Sequence, residues 1–373
     1  MQDTINDRLR RMRALTHKEF LEVGRDKSSL MMGILLPIIL ILVIGFGISL
    51  DVKNAPIAVV LEDNAPEARQ MVNFVDGSEY FKPVYMTDIY QAVQAFETRK
   101  VDAILRVPPD FSRQLHQNNA RLQLILYGVD TTTAMTLQSY VEAGVSQWTG
   151  EYLAAQGLGG VTLESRLWFN DAHASTWVFV PGLILMIVTL VGVLLTAGVM
   201  AREYERGTFE SLFVTPVRKG ELIVAKIIPY FCIAMLGVLI CLVLSRYLFQ
   251  VPLVGSLALI LLVTILYLLA ALGAGILISV VTKGQFMATQ VAMLVSFLPS
   301  IMVSGFLFDL RSTPLVVQLS GEILPFSHYL TVLKTLFLAG NIWPVIWKQG
   351  AILVFFAILF TELAFHIIRK KVE

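Results

Sequence analysis

Residues 177–200 read WVFVPGLILMIVTLVGVLLTAGVM, a run without a single charged side chain. An α-helix rises ~1.5 Å per residue, so ~20 apolar residues cross the hydrocarbon core of a bilayer. The run is therefore predicted to be a transmembrane helix. Five further apolar stretches of sufficient length lie at 29–50, 222–245, 253–281, 286–308 and 347–368, and Lys226 and Glu362 are the main charges inside them. We predict an α-helical integral membrane protein with six transmembrane helices.

The composition agrees with a membrane protein. Apolar residues make up 56% of the chain and charged residues 15%, whereas soluble domains carry about 25% charge. The net charge of +1 argues against nucleic-acid binding, which needs a strongly basic face. The first apolar run is longer than the ~7–15 residues of a signal-peptide core, so it is expected to stay in the membrane.

The distribution of Lys and Arg predicts the orientation of the helices, because cytoplasmic flanks are enriched in these residues. Four flanks are basic. Before the first run lie Arg8, Arg10, Arg11, Arg13, Lys18, Arg25 and Lys27, and after the second lie Arg202, Arg206, Arg218 and Lys219. Lys283 follows the fourth run, and Arg369, Lys370 and Lys371 follow the sixth. The short connectors on the opposite side, between the third and fourth and between the fifth and sixth runs, hold only Arg246, Arg311 and Lys334. Both termini are therefore predicted to be cytoplasmic, with 369–373 as a short tail.

Residues 51–176 then lie outside, and their pattern alternates strand and helix. Ile57–Leu61, Ala103–Val107 and Leu122–Leu126 read as strands. Helical spacing is found in Ile89, Val93 and Phe96, and again in Leu137, Val141 and Trp148. We predict a periplasmic α/β domain between the first and second spans.

Two further segments are predicted to lie at the membrane surfaces. Residues 1–28 form an amphipathic interfacial helix, because Leu9, Met12, Phe20 and Val23 share one side of a helix whose other side is basic. Within the outer loop 309–346, Tyr329–Leu338 is apolar but too short to cross, which makes it a candidate re-entrant helix buried against protein.

The chain contains none of the usual catalytic motifs. It has no phosphate-binding loop, no His-Glu-x-x-His and no Gly-x-Ser-x-Gly, and its five histidines are scattered without ligand spacing. We therefore expect no catalytic residue, no metal site and no cofactor on this chain. Any transport work would need an energy source on another chain.

The loop after the second span, residues 201–217, reads AREYERGTFESLFVTPV. Its start is charged and its end is apolar up to Pro216. A short amphipathic helix here could offer Glu203, Glu205 and Glu210 to a soluble partner. An ordinary charged loop that obeys the positive-inside rule fits the residues equally well.

This loop resembles that of the permease subunits of bacterial ABC-2 type exporters, which reads Ala-Arg-Glu-x-Glu-x-Gly-Thr-x-x-x-Leu-x-x-x-Pro. Val107–Ser112, Leu277–Ser279, Pro299–Gly305 and Leu324–Tyr329 agree as well. The resemblance covers essentially the whole chain. The large domain between the first two spans points to the multidrug-efflux branch and hence to the bacterial inner membrane.

The resemblance implies partners. Such permeases pair as homodimers or heterodimers, and they bind two ATP-binding subunits that carry ATP and Mg. Many work with a periplasmic adaptor protein and an outer-membrane channel. Residues 201–221 would be the coupling helix that receives the motion of the ATPase. The matching positions are Arg202, Glu203, Glu205, Arg206, Gly207, Thr208, Glu210 and Pro216.

By the same analogy, the second and fifth spans would line the substrate path at the dimer interface. Side chains there that suit apolar drugs are Phe179, Met186, Met293, Phe297, Met302 and Phe306. For each of them, packing against lipid or a neighbouring helix is the simpler interpretation. Glu362 is an intramembrane carboxylate, but it lies seven residues before Arg369, which favours anchoring at the inner surface.

We therefore predict the membrane subunit of an ATP-driven efflux pump for amphipathic or hydrophobic compounds. One alternative is a membrane sensor or receptor that binds a ligand through 51–176, but it would need a cytoplasmic output domain. The other is a membrane-embedded lipid-modifying enzyme, but it would need convergent polar residues within the spans. A neighbouring gene that encodes an ATPase would separate the pump from both.

Overall fold

The computed structural model describes residues 5–47, 53–117, 119–126, 131–155, 175–207, 219–307, 310 and 313–367. The chain divides into two compact units. The first comprises Met1–Ile48 and Trp168–Glu373, and the second comprises Ser49–Leu167.

The first unit is helical. Helix α1 (Ile5–Arg25) precedes α2 (Lys27–Gly47). Five long helices follow the second unit and its flanking residues: α7 (Ser175–Glu205), α8 (Lys219–Tyr247), α9 (Leu257–Thr282), α10 (Gln285–Met302) and α13 (Trp343–Ile367). Among the described residues, six helices are long and apolar enough to cross a membrane, namely α2, α7, α8, α9, α10 and α13. Each contains most of one predicted span.

The fifth span is shorter than predicted. Its helix α10 ends at Met302, not at residue 308. Gly305 has a φ of 77°, which the right-handed helix does not allow. The hydroxyl of Ser304 donates to the carbonyl of Ser300 and accepts from the amide of Phe306, which replaces helical bonds with a turn.

Helix α7 is the centre of the bundle. Nearly every residue from Phe179 to Ala201 is buried, and the helix packs against α2, α8, α9 and α10. The close approach to α9 depends on Gly275, because a Cβ there would lie 2.4 Å from the carbonyl oxygen of Val193. Small residues at such crossings are typical of packing in membranes, where backbones approach closely. A helix that is apolar on every side therefore ends up surrounded.

Two short helices, α11 (Leu315–Ile323) and α12 (Pro325–Lys334), precede α13, and α12 continues as a π-helical turn over Thr335–Ala339. The rings of Tyr329 in α12 and Tyr267 in α9 stack at 4.2 Å. Their hydroxyls bond to those of Thr264 and Thr189, so these buried polar groups are satisfied. The helix predicted over Tyr329–Leu338 is therefore present and buried against protein; its entry from outside the membrane stays a prediction.

The second unit has a four-stranded sheet in the order β2-β1-β3-β4. The strands are β1 (Ala55–Leu61), β2 (Phe81–Met86), β3 (Ala103–Val107) and β4 (Gln123–Leu126). Strands β2 and β3 run parallel to β1, and β4 is antiparallel to β3. The helices are α3 (Pro66–Val72), α4 (Ile89–Glu97), α5 (Phe111–His116) and α6 (Thr131–Ala155).

Strand β1 is buried on both faces. Ile57 and Val59 belong to one core with Met71 and Leu137, whereas Ala58 and Val60 belong to a second core with residues of α4. A central parallel strand covered on both sides reads as a continuous apolar run, which explains why it was predicted from the sequence. The location of this unit in the periplasm stays a prediction.

Candidate functional site

The candidate site is the end of α7 that precedes the 201–217 loop. In its last turns, Glu203 is buried and points towards α8 and α1. The Nζ of Lys226 in α8 donates to Oε1 of Glu203 at 2.6 Å and to Oε1 of Glu19 in α1 at 3.1 Å. The Nζ of Lys18 lies 3.1 Å from Glu19 and 3.8 Å from Glu203. We call these four residues, Lys18, Glu19, Glu203 and Lys226, the charge clasp.

The charge clasp explains how a lysine is tolerated in an apolar helix. The side chains of Lys226, Glu19 and Glu203 are 2%, 4% and 9% exposed. A buried charge without a partner is costly, but a hydrogen-bonded group of opposite charges compensates for much of the lost hydration. The clasp therefore fixes α1 and α8 to the end of α7.

Charge pairs at the edge of the clasp act in the same direction. Burial lowers the pKa of the Lys18 ammonium, but hydrogen bonds and attraction to Glu22 and Glu19 outweigh it, so the pKa lies above the ordinary value of 10.5. Burial raises the pKa of Glu22, but the hydrogen bond from Lys18 outweighs it, so the pKa lies below 4.5. Both groups are therefore held in their charged forms.

A second contact joins α7 to the start of α2. Asp26 caps α2, because its carboxylate accepts from the amide of Ser28 at 3.0 Å and from the hydroxyl of Ser29 at 2.8 Å. The same carboxylate accepts from Arg202 at 2.8 Å. Burial raises the pKa of Asp26, but Arg202 and Ser29 outweigh it and hold the pKa below the ordinary value of 3.8.

Two further contacts join α7 to α9 and α10. The amide of Ala201 donates to the hydroxyl of Ser279 at 2.8 Å. The carboxylate of Glu205 accepts from the amide of Gln285 at 2.7 Å. Gln285 is the first residue of α10, so Glu205 satisfies one of the free amides of this helix and opposes the positive end of its dipole. The end of α7 is thus bonded to α1, α2, α8, α9 and α10.

The predicted coupling residues differ in their surroundings. Arg202 and Glu203 face the protein, Glu205 is exposed but caps α10, and Arg206 and Gly207 are exposed. The prediction that Glu203 is offered to a soluble partner is wrong for this structure, because its carboxylate is buried against Lys226. Thr208, Glu210 and Pro216 lie outside the described residues.

The sequence analysis missed the partners of Glu203. A charge within an apolar run is a signal of function, and Lys226 provides that signal. It does not identify Glu19, which is 207 positions away.

The six predicted path residues do not converge in one chain. Phe179 and Met186 are buried in α7, which contradicts an open path lined by this helix. The ring of Phe306 packs on Phe179 with centroids 5.0 Å apart. Met293 and Met302 are 51% and 49% exposed, but nine positions place them on opposite sides of α10.

Phe297 in α10 is half-buried and packs against the core of the bundle. Glu362 is 63% exposed and lies 3.7 Å from the Nδ1 of His366. Its predicted partner Arg369 is outside the described residues. Among the residues that the structure describes, no group of His, Cys, Asp and Glu could hold a metal ion.

Comparison with known proteins shows the relationships of the chain. The family model described as "ABC-2 family transporter protein" matches residues 27–365. The "Probable multidrug ABC transporter permease YbhS" of Escherichia coli (strain K12) is 34% identical over 369 residues, which are 98% of each chain. The "Probable multidrug ABC transporter permease YbhR" of the same strain is 28% identical over 97% of this chain and 99% of its own. The "ABC transporter permease protein NatB" of Bacillus subtilis (strain 168) is 24% identical over 92% and 94%.

Proposed function

The chain belongs to the ABC-2 transporter family, and from this premise we propose that it is the permease subunit of an ATP-driven exporter in the bacterial inner membrane. It would move amphipathic or hydrophobic compounds outward from the cytoplasm or the inner membrane. The names of YbhS and YbhR as probable multidrug permeases support this substrate class. In this proposal the end of α7 that holds the charge clasp faces the cytoplasm, as the basic flanks indicate.

The observation that carries the proposal is the set of bonds at this end of α7. ATP and Mg would bind on a partner subunit, and this chain would receive only the motion of that subunit. Because Glu203, Arg202 and Glu205 bond to α8, α2 and α10, a push on the loop after α7 would move these helices together. Helix α7 has 31 residues and is therefore about 46 Å long. The displacement would reach Phe179 at the other end.

This proposal divides the coupling residues into two groups. Arg206 and the segment 208–216 would contact the ATPase. Arg202, Glu203 and Glu205 would transmit the motion inside the permease. A direct contact by Glu203 is not part of the proposal, because the side chain is buried.

The remaining partners follow from the exposed surfaces. The outer side of α10 carries exposed Phe286, Met287, Met293, Leu294 and Leu298, and we place a second permease there, as a homodimer or heterodimer. The substrate would pass between the two copies, along Met293 on this outer side. Residues 51–176 would dock a periplasmic adaptor that leads to an outer-membrane channel.

A pair of charge reversals tests the proposed function. Arg206→Glu changes an exposed cation of the proposed contact, whereas Arg69→Glu makes the same change on the exposed surface of the α/β unit. The tagged permease is purified, its companions are identified, and ATP-dependent efflux is measured in vesicles. We expect an ATP-binding subunit to copurify with the wild type and with Arg69→Glu. Arg206→Glu should lose the subunit and the efflux at normal protein level.

Two results would contradict the proposal. One is a wild-type permease that copurifies with no ATP-binding subunit. The other is equal copurification and efflux in both variants, which would make the exposed end of α7 a solvated flank without a partner.

A further inference from the structure

A groove lies between α1 and α8. Its cavity volume is ≈ 780 Å³, within the range of about 300–1,000 Å³ found for small-molecule sites. Three kinds of side chain line it. They are the apolar Leu9, Met12, Phe20 and Ile228, the basic Arg10, Arg13 and His17, and the small Ala14 and Thr16. The groove is separate from the charge clasp.

The groove uses a different face of α1 from the one that packs on the protein. Leu9, Arg13, Thr16 and Phe20 recur at i, i+4, i+7 and i+11, so they form one stripe of the helix. Leu9 is 54% and Phe20 43% exposed. By contrast, Glu19 is 3% exposed and its carboxylate accepts from the Nζ of Lys226 in α8. Two large apolar side chains are therefore available for a ligand that is itself partly apolar.

The basic residues of α1 fall into two groups, one on the side of the charge clasp and one that lines the groove. Arg11 and Lys18, on the side of the clasp, pair with Glu221 and with Glu19 and Glu22. No ion pair within the described part of the chain involves Arg10, Arg13 or His17. Among the described side chains, positive charge is thus balanced on the side of the clasp and has no ion-pair partner where the helix lines the groove. An anion from outside the chain would balance it.

We propose that this groove binds one anionic phospholipid of the inner leaflet. Arg10 and Arg13 would hold the phosphate, and an acyl chain would lie along Leu9, Phe20 and Ile228. Ile228 belongs to the membrane-spanning part of α8, so the apolar end of the groove meets the hydrocarbon. A free phosphate would leave that end empty, and an acidic segment of a soluble protein would have to enter the membrane to fill it.

The consequence is a two-sided attachment of α1. The charge clasp fixes one side to α7 and α8, and the bound lipid would cover the other side. The proposal does not depend on the proposed transport function, because binding is measured on the permease without ATPase or substrate.

The test is lipid binding to the purified permease in a neutral detergent, followed by native mass spectrometry. Phosphatidylglycerol and phosphatidylcholine with identical acyl chains are compared. We expect the wild type to bind phosphatidylglycerol more tightly. Arg10→Gln/Arg13→Gln should bind phosphatidylglycerol about 30-fold more weakly, since a basic residue near an anionic surface contributes ~1 kcal/mol and 1.4 kcal/mol is a factor of ten. Binding of phosphatidylcholine, whose choline cation offsets the charge of its phosphate, should weaken less.

The control is Arg25→Gln/Lys27→Gln, which removes the same charge from exposed positions outside the groove. Arg25 is 12 residues from Arg13, or ~18 Å along the helix, which exceeds the ~10 Å screening length at 0.1 M salt. We expect a change of about twofold at most. A second variant, Thr16→Phe, keeps every cation and fills the groove, and it should also weaken binding of phosphatidylglycerol.

Three outcomes would overturn the proposal. Equal losses in the two glutamine variants would show general attraction to surface charge. Competition by glycerol phosphate as strong as that by the intact lipid would show a free-phosphate site. Unchanged lipid binding in Arg10→Gln/Arg13→Gln, together with loss of a copurifying protein, would assign this face of α1 to a protein contact.

Discussion

Replacement of Lys226 by methionine would test whether the charge clasp holds the inner end of the bundle together. The Nζ of Lys226 lies 2.6 Å from Glu203 and 3.1 Å from Glu19. Methionine has nearly the same length but no charge. The variant would therefore leave two carboxylates facing each other in a site from which water is almost excluded.

The size of the effect follows from burial. Removal of one partner from a buried ion pair typically destabilises a protein by ~3–5 kcal/mol. Lys18 offsets part of this loss, but its side chain is 51% exposed, and exposed pairs contribute at most about 1 kcal/mol. We therefore expect a loss of about 3 kcal/mol for Lys226→Met. At ~2–4 °C per kcal/mol for a unit of this size, the unfolding midpoint should fall by about 6–12 °C.

The assay is thermal unfolding of the purified protein in detergent, followed by tryptophan fluorescence. A second variant, Glu203→Gln/Lys226→Met, removes the charge of one of the two unbalanced carboxylates. The other carboxylate, that of Glu19, keeps its ion pair with Lys18. It should be more stable than Lys226→Met alone, although it carries one substitution more. Such non-additivity is expected only of residues that interact directly.

The control is Lys348→Met, which removes an exposed lysine from α13 in the same unit. Surface substitutions of this kind usually stay within about 0.5 kcal/mol. A midpoint for Lys226→Met within about 2 °C of that control would refute the reasoning. A double variant whose loss of stability equals the sum of the losses in Glu203→Gln and Lys226→Met would refute it as well.

Three further predictions concern the same unit. Glu205→Ala removes the cap of α10 and should cost about 1 kcal/mol, measured as a midpoint lower by about 2–4 °C; an unchanged midpoint would contradict the cap. The pKa values of Glu22 and Asp26 lie below 4.5 and 3.8 in the folded protein. The contribution of their charged forms to the stability of the fold is therefore complete above these values and is lost as the pH falls below them. A spin label on α1 should therefore become mobile below about pH 4, and constant mobility down to pH 3 would be the opposing result. Met293→Ala should change the resistance profile at normal protein level, whereas Met186→Ala, in the core, should lower the protein amount in immunoblots. Equal behaviour of both variants would remove the distinction between path and core.

The sequence was sufficient to predict the six long helices but not their faces. Length and hydropathy define a span, and the runs in this chain meet both conditions. Which side of a span faces a neighbour depends on tertiary packing. Helix α7 is apolar all round, so its periodicity contains no information on whether Phe179 faces a path, lipid or another helix. The structure places that ring on Phe306 inside the bundle.

The strands of the second unit show the same limit. Strand β1 is central and continuously apolar, so it was predicted. Strand β2 was not, because it lies at the edge of the sheet, contains Pro83 and has only one buried residue, Phe81. An edge strand tolerates proline and has no continuous apolar run, which removes both signals that sequence analysis uses.

The charge clasp could not be predicted because its parts come from three separate segments. Each residue has an ordinary explanation by itself: Lys226 near a membrane surface, Glu19 on an amphipathic helix and Glu203 in a charged loop. Only the packing of α1 on α8 and α7 brings the carboxylates of Glu19 and Glu203 within 3.1 Å of the Nζ of Lys226. The motif in the loop therefore gave no sign that Glu203 is buried, and the role of the loop in coupling stays a prediction.

The two ends of α7 are held by different kinds of interaction, and this difference bears on how the helix would transmit motion. At the clasp end, ion pairs and hydrogen bonds with fixed geometry join it to α1, α2, α8, α9 and α10. At the other end, the ring of Phe306 packs on Phe179 and over Gly182, and these contacts are apolar. Directional bonds resist rotation of the groups they join, whereas apolar contacts are not directional and can re-form after a small slide. A displacement applied at the clasp would therefore move the joined helices as one body, and relative motion would be concentrated where Phe179 and Phe306 meet.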